Sequence, residues 1–203
     1  MSNIGAGSDT TAITISSILY HSLRYPQTFA KLREEIDLAT KEGRASDPIT
    51  FKEAQQLPYL QAVIKEALRC HPVTGLPMQR LTPPEGATIA GTFIPGGSTV
   101  GISAWVAQRN QAVFGQDADR WRPERWLEPG AAETDRYMLA FGMGSRTCIG
   151  KNISLLEMAK LVPQLVRNFD FELDMGPNPE LVCENRWFVK MMNFEGRVLQ
   201  RKM

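Results

Sequence analysis

The segment 141–150 restricts the possible folds of this chain more than any other part of the sequence. It reads Phe-Gly-Met-Gly-Ser-Arg-Thr-Cys-Ile-Gly, and the pattern after it predicts a helix over residues 149–168. A cysteine at a helix start lies near free backbone N–H groups and the positive end of the helix dipole, which stabilise a thiolate. Gly142 and Gly144 have no side chains, so this loop can lie flat against a planar ligand.

Cys148 has two interpretations. Free cysteines are among the most buried residue types, so a lone cysteine at a helix start is more often a packed structural thiol. Alternatively, Cys148 is a metal ligand, and Arg146 supplies a positive charge for a carboxylate of the bound group. The chain has three widely spaced cysteines, and this odd number predicts free thiols in a reducing compartment rather than a disulfide framework.

The composition is that of an ordinary folded protein. Apolar residues make up 43% of the 203 residues, charged residues 22%, and the formal net charge is +1. This balance gives no electrostatic reason to expect a nucleic-acid partner. We also expect no signal peptide or membrane-spanning segment in this sequence, because it has neither a basic-then-apolar start nor an apolar run of roughly 20 residues.

The chain divides into a helical first part and a mixed second part. Helical spacing is present in 4–24, in 26–42 and in a run that ends before Pro72, while Thr50 and Glu53 predict a capping box. Little periodicity is visible in 110–147, which is typical of a functional loop. The predicted fold class is therefore mainly α with small β-sheets. Short β-like runs complete the pattern at 88–90, 93–94, 99–102, 170–174 and 187–199.

Two further patterns are ambiguous on their own. Glu66 and Arg69 are three residues apart on a predicted helix and can pair, but such pairs usually lie on an exposed surface. Residues 6–11 read Ala-Gly-Ser-Asp-Thr-Thr, which is unusual inside a helix because these residue types weaken helical hydrogen bonding. Either Ser8 or Asp9 caps a helix that begins there, or the segment is a local distortion within a longer helix.

In combination these segments resemble the cytochrome P-450 family. Residues 141–150 match the family's haem-ligand pattern Phe-x-x-Gly-x-Arg-x-Cys-x-Gly, and residues 6–11 match its oxygen-activation motif. Glu66, Arg69 and the Pro-Glu-Arg-Trp of 123–126 occur in the order of the family's Glu-Arg-Arg cluster. The sequence as a whole resembles those of fungal or other eukaryotic microsomal members. The resemblance covers essentially the whole chain, but only the C-terminal part of a family member.

The resemblance implies a partial domain over residues 1–203, without the N-terminal helices and membrane anchor. It would be the C-terminal part of the cytochrome P-450 fold, from the oxygen-site helix through the haem-ligand loop, the following helix and a terminal β-hairpin. Cys148 would be the axial thiolate ligand of haem b, and Arg146 and Arg80 would bind its propionates. The other implied contacts with the cofactor are Phe141, Gly142, Gly144 and Gly150.

Further roles follow from the same resemblance. Arg125 would join Glu66 and Arg69 and fix the long loop beneath the haem. Asp9 and Thr10 would deliver protons to dioxygen, with Thr11 as neighbouring support. Substrate-contacting stretches would be residues 73–78 and the turn near Trp187. A basic docking face for the electron donor is a further hypothesis, built on Arg109, Arg120, Arg122 and Lys151.

The implied activity is that of a haem-dependent monooxygenase. It would insert one atom of dioxygen into a small apolar organic substrate, with electrons from an NADPH-dependent flavoprotein reductase. Full-length relatives would be anchored in the endoplasmic-reticulum membrane and face the cytosol. The main alternative is a truncated, non-catalytic fragment with weak or no haem binding. A dinucleotide-binding enzyme is disfavoured, because neither 5–7 nor 142–144 completes Gly-x-Gly-x-x-Gly after a strand.

Overall fold

The computed structural model describes residues 3–174 and 180–202, in which helices form the centre and four small sheets lie around them. The helices are α1 (Asn3–Arg24), α2 (Pro26–Lys41), α3 (Phe51–Ala54), α4 (Pro58–Cys70), α5 (Ala104–Ala107), α6 (Gln111–Phe114), α7 (Ala131–Asp135) and α8 (Lys151–Asn168). Two 3-10 helices span Pro123–Leu127 and Gly144–Arg146. The mainly α class with small sheets is confirmed.

Four long helices enclose the main core. Helix α1 contacts α2, α4 and α8, while α2 also contacts α4 and α8. The stripe of apolar residues on α4 is central to this packing, since Leu60 and Val63 are 0% exposed. Ile18 of α1, Leu32 of α2 and Val162 of α8 are equally buried and belong to the same cluster. Within the described residues, no helix is long and apolar enough to cross a membrane.

The helix boundaries test several predictions. The capping box is confirmed: Glu53 N donates to Thr50 Oγ1 (3.3 Å) and Thr50 N donates to Glu53 Oε2 (2.8 Å). Helix α1 continues through residues 6–11, so an N-cap at Ser8 or Asp9 is wrong. Helix α8 begins at Lys151, two residues later than predicted, because Cys148 and Ile149 still belong to the preceding loop.

All four sheets are two-stranded and antiparallel. A single strand over 187–199 is wrong, because the chain turns near Asn193, whose Oδ1 accepts from Val182 N (2.8 Å). The strands before and after this turn pair with different partners. The strands are β1 (Met78–Leu81), β2 (Ala87–Ile89), β3 (Thr92–Ile94), β4 (Thr99–Ile102), β5 (Phe169–Asp174), β6 (Cys183–Arg186), β7 (Phe188–Met191) and β8 (Glu195–Gln200). β1 pairs with β4, β2 with β3, β5 with β8 and β6 with β7.

Candidate functional site

A predominantly apolar cavity lies between α1, the C-terminal end of α4, the loop before α8 and the tip of the β6–β7 hairpin. Five residues that the sequence assigned to the cofactor or to oxygen meet on its wall: Thr10, Phe141, Gly142, Arg146 and Cys148. Thr11, named as neighbouring support, is there too, and sequence reasoning missed other lining residues: Thr14, Leu68, Ala140, Ser154 and Met158.

The loop that carries Cys148 is shaped by backbone hydrogen bonds and two left-handed glycines. Cys148 N donates to Phe141 O (2.8 Å), which closes the loop on itself. Gly142 and Gly144 both have φ of +71°, a conformation that side chains disfavour. Gly150 has φ of −83° and stands at the N-terminal cap of α8. The thiol is therefore presented by a constrained loop and remains exposed.

The other two cysteines differ from Cys148. Cys70 is buried, and its burial, with the nearby Glu66 carboxylate, raises the pKa of its thiol to about 12. Burial also raises the pKa of Cys183, which lies on β6 outside the cavity wall. A cysteine binds a metal as its thiolate, and Cys148 is the cysteine that lines the cavity.

Two arginines lie beside the loop. Arg146 is exposed and lines the cavity. Arg80, on β1, donates from Nη2 to Met143 O (3.2 Å), so it contacts the same loop from the neighbouring sheet. Phe141 is partly buried against the main core, and the Lys151 ammonium lies 5.8 Å from its ring centroid. The loop thus combines a thiol, an aromatic ring and cations that can pair with carboxylates.

The opposite wall is formed by one face of α1. Thr10 Oγ1 donates to Ala6 O (2.8 Å), and Thr14 Oγ1 donates to Thr10 O (3.1 Å). These side-chain bonds leave the segment α-helical, so the helix is not broken where a distortion was expected. Thr11 Oγ1 lies 3.1 Å from Ser154 Oγ and ties α1 to α8.

Asp9 does not share the cavity with Thr10. Its carboxylate is half exposed and lies 3.7 Å from Lys190 Nζ on β7. Successive residues of an α-helix point about 100° apart, because a turn contains about 3.6 residues. Asp9 therefore faces a different groove, beside Lys190 and Phe194, while Thr10 faces the cavity.

The structure brings Glu66, Arg69 and Arg125 together in a site without solvent access. Arg69 donates to both Glu66 carboxylate oxygens, from Nη2 at 2.8 Å and from Nε at 2.9 Å. Arg125 Nε donates to Glu66 Oε1 (3.1 Å), and Trp126 Nε1 donates to Oε2 (2.9 Å). Both Glu66 and Arg69 are 0% exposed, so an exposed surface pair is wrong.

Arg69 also fixes the long irregular segment after α5. Its guanidinium donates to Gln108 O (2.9 Å), Ala118 O (2.5 Å) and Arg120 O (2.9 Å). Burial by itself would lower the pKa of Arg69, but the hydrogen bonds to Glu66 and the negative charges of Glu66 and Asp117 nearby together hold the pKa above its usual value. The charged guanidinium thus supplies donors for backbone carbonyls of this segment that have no partner in a regular helix or sheet.

The β6–β7 hairpin places Trp187 at the cavity. Trp187 has a φ of +78°, which is unusual for a bulky residue and typical of a strained functional turn. The hairpin is attached by Val189 N donating to Val73 O (2.8 Å) and by Gly75 N donating to Trp187 O (2.9 Å). Val73, Thr74, Met78 and Trp187, from the expected substrate-contacting stretches, all line the cavity.

Two residues of the hypothetical docking face are occupied internally. Arg122 pairs with Asp117 (2.5 Å) and with Glu128. Arg109 donates to Cys70 O (2.7 Å) and lies 3.7 Å from Asp119. Arg120 and Lys151 are exposed, so the hypothesis of a basic docking face is restricted to these two residues.

Comparison with known proteins shows to which family this chain belongs. A model of the family described as cytochrome P-450 matches residues 1–193. The chain belongs to the cytochrome P-450 family. It is 52% identical over 190 residues to a pisatin demethylase of Fusarium vanettenii, an alignment that covers 93% of this chain and 36% of that protein.

Two other cytochrome P-450 relatives are monooxygenases by name. Identity is 48% to cicH of Emericella nidulans, covering 98% of this chain and 40% of that protein. It is 50% to an Aspergillus terreus protein, covering 83% of this chain and 35% of that protein. This chain therefore spans well under half the length of these relatives.

Membership of the cytochrome P-450 family implies a haem cofactor, and the cavity suits one. Its wall is mainly apolar, as a porphyrin face requires, with a free thiol at one edge and a cation, Arg146, beside it. In the described ranges no group of three or more His, Cys, Asp or Glu could hold a metal ion. A single protein ligand is what an iron already held by a porphyrin needs.

Proposed function

We propose that this chain forms the haem-binding and oxygen-side part of a monooxygenase that inserts one atom of dioxygen into a small apolar organic substrate. The observation that supports the proposal is the shared cavity: Cys148 and Arg146 lie on one wall and Thr10 on the facing helix. These groups come from residues that are far apart in the sequence. Their convergence on one apolar cavity supports a single bound group that all three would contact.

Cys148 would hold the iron of haem b through its thiolate. Bound haem supplies the activation of dioxygen, and a thiolate ligand favours cleavage of the O–O bond. Phe141 packs between the loop and the core, so it would shield the sulfur from water. Arg146 and Arg80 would orient the cofactor through its carboxylates, and Gly142 and Gly144 would let the loop backbone approach it.

Protons would reach the cavity along α1. The Asp9 carboxylate is half exposed, so it can exchange protons with solvent beside Lys190. The Thr10 hydroxyl lies on the cavity side and is held by Ala6 O. Asp9 would therefore take up a proton on the outer face, and Thr10 Oγ1 would give its hydroxyl proton into the cavity while it accepts a replacement proton from that side. A water molecule between these faces would complete the path.

Electrons would come from an NADPH-dependent flavoprotein reductase that docks on the side of Cys148. Full-length polypeptides of this kind would be anchored in the endoplasmic-reticulum membrane and face the cytosol. The substrate would contact Trp187 and residues 73–78, where the cavity wall is apolar. Demethylation, named for one relative, is the reaction type that we would assay first.

The carbon monoxide difference spectrum of the reduced, haem-loaded, full-length polypeptide tests the proposal. We expect the Soret band of a thiolate-bound iron, and we expect Cys148→Ala to abolish it. Cys183→Ala is the matched control, because Cys183 is also exposed but lies outside the cavity wall. A thiolate band that survives Cys148→Ala, or that is lost equally in Cys183→Ala, would refute Cys148 as the ligand.

A truncated fragment without haem binding remains the second candidate for the 203-residue chain by itself. The observation that favours it is the exposed apolar surface of α8, where Ile153 is 60% exposed, Leu156 42% and Leu161 44%. These residues line an apolar groove between α8 and α1. Exposed apolar patches of this kind normally bind further protein surface. Haem uptake by the full-length polypeptide but not by the 203-residue chain would establish this candidate.

A further inference from the structure

Gln108 is a fully buried polar residue whose hydrogen-bonding groups are all used. Its side-chain Nε2 donates to Leu68 O and to Arg69 O, both at 3.0 Å. Its Oε1 accepts from Leu139 N at 2.7 Å. Its backbone N donates to Ala104 O (2.9 Å), and its backbone O accepts from Arg69. The side chain is 0% exposed, so no solvent competes for these bonds.

The carboxamide of Gln108 thus links three parts of the chain. Leu68 and Arg69 carry the last carbonyls of α4, which a helix leaves without partners inside itself. Gln108 follows the short helix α5, and Leu139 lies just before the haem-ligand loop. A side chain with two N–H donors and one carbonyl acceptor is required to satisfy all three groups at once.

A chain of hydrogen bonds continues from Leu139 to the cysteine. Gly142 N donates to Leu139 O (2.8 Å), and Cys148 N donates to Phe141 O (2.8 Å). Leu139 itself is only 8% exposed, which leaves its amide without solvent as an alternative partner. The position of the Cys148 backbone therefore depends on where Leu139–Phe141 is held, and Gln108 holds the start of that segment.

We propose that Gln108 is a positioning residue for the Cys148 thiolate. It fixes the haem-ligand loop relative to the C-terminal end of α4, because its side chain bonds to Leu139 N and to the carbonyls of Leu68 and Arg69. This inference rests on the proposed function, since it takes Cys148 as the iron ligand. It assigns to Gln108 an effect on iron ligation beyond its effect on stability, because hydrogen bonds around a ligand loop tune the metal that it binds.

Three variants of the full-length, haem-loaded polypeptide test the role. Gln108→Met keeps the length of the side chain but removes all of its hydrogen bonds. Gln108→Glu, when protonated, can still accept from Leu139 N and donate to one carbonyl. Thr28→Val is the matched control. Thr28 lies on α2, away from the loop, and the substitution removes the buried hydrogen bond that its Oγ1 accepts from Trp121 Nε1 (3.2 Å). Thermal unfolding measures the stability lost in each.

The decisive readout is the carbon monoxide difference spectrum at a temperature where all variants are folded. We expect Gln108→Met to lose most of its thiolate band, Gln108→Glu to keep it, and Thr28→Val to keep it although its Tm is also lower. Amide hydrogen exchange of the haem-free protein should show faster exchange at Leu139 in Gln108→Met only.

The outcomes separate this inference from the proposed function. A thiolate band in Gln108→Met as strong as that of the unmodified protein would overturn the positioning role. Equal losses in Gln108→Met and Thr28→Val would overturn it too, because stability would then explain both. Absence of a thiolate band in the unmodified full-length polypeptide would refute the proposed function itself.

Discussion

The carboxylate of Glu66 and the guanidinium of Arg69 form a two-bond ion pair that solvent does not reach, with donor–acceptor distances of 2.8 and 2.9 Å. Arg125 adds a second cation at 3.1 Å. The Glu66 carboxylate thus faces two positive charges, Asp117 pairs with Arg125 from the other side (3.2 Å), and backbone carbonyls accept further donors of both guanidinium groups. Taking charges out of water is costly, so this arrangement is stable only while all partners are present.

Glu66→Gln should destabilise the protein strongly. The amide leaves Arg69 buried without its counter-charge and Arg125 with Asp117 alone (3.2 Å), and breaking a buried pair in this way costs about 3–5 kcal/mol. Chemical denaturation measured by circular dichroism gives the free energy of unfolding. Asp135→Asn is the control, because it breaks the exposed pair with Lys65 (2.9 Å), which is worth at most about 1 kcal/mol. Equal losses in the two variants would contradict a special role for the buried cluster.

His21 should make the protein sensitive to acid. Burial, followed by the nearby His71 and Arg109, lowers the pKa of His21 from 6.5 to about 3. Its ring is stacked on Trp121 with centroids 4.6 Å apart, and its Nδ1 is buried without a partner. Between these two pKa values the unfolded state binds a proton that the folded state does not. The free energy of unfolding should therefore fall as the pH falls below 6.5, by up to about 1.4 kcal/mol per pH unit.

His21→Phe should reduce that acid sensitivity. The phenyl ring can keep the stacking on Trp121 but binds no proton in either state. Urea unfolding at a series of pH values between 6.5 and 4 provides the comparison, and the variant should show the shallower slope. Parallel slopes for the two proteins would mean that His21 titrates normally in the folded state.

Thr10→Val should uncouple electron use from product formation. The substitution keeps the branched shape but removes the hydroxyl on the cavity wall that is bonded to Ala6 O. In the full-length enzyme we expect a several-fold lower ratio of product to NADPH consumed, because a positioned proton donor is lost. Thr14→Val, the same change one turn further along α1, should have the smaller effect. An unchanged ratio in Thr10→Val would exclude Thr10 from proton delivery.

Lys151, rather than Arg122, should govern docking of the electron donor. Lys151 is exposed beside Phe141, whereas Arg122 is held by Asp117 and Glu128. Lys151→Glu should slow reduction by the flavoprotein and weaken the dependence of its rate on salt. Arg122→Glu should mainly lower stability, because it places a third carboxylate against two others. Stopped-flow reduction at two ionic strengths distinguishes the two effects, and an unaltered rate in Lys151→Glu would rule out this docking surface.

The sequence was most informative where a pattern is local. Helices α2 and α4 follow from their apolar spacing, and the capping box at Thr50 and Glu53 follows from two residues. The loop around Cys148 was recognisable because its glycines, arginine and cysteine are contiguous. In each case the physical cause lies within one or two helical turns of the residues concerned.

Features that depend on distant contacts were not predictable. Spacing could not show that Glu66 and Arg69 are buried, because their burial comes partly from Arg125, 59 residues from Glu66. No pattern in the sequence pointed to Gln108, since its hydrogen-bond partners belong to α4 and to Leu139, which is 31 residues away. The separation of Asp9 from Thr10 required knowing which face of α1 turns towards the cavity.

The contact between Thr11 and Ser154 joins residues that are 143 positions apart, and the cavity wall extends from Thr10 to Trp187. The residues that line this cavity come from several segments that are far apart in the sequence. Closing so long a loop costs entropy, which the packing of α1 against α8 and α4 must offset. A molecule that binds there therefore selects for the completed fold, and its occupancy reports whether both ends of the chain have come together.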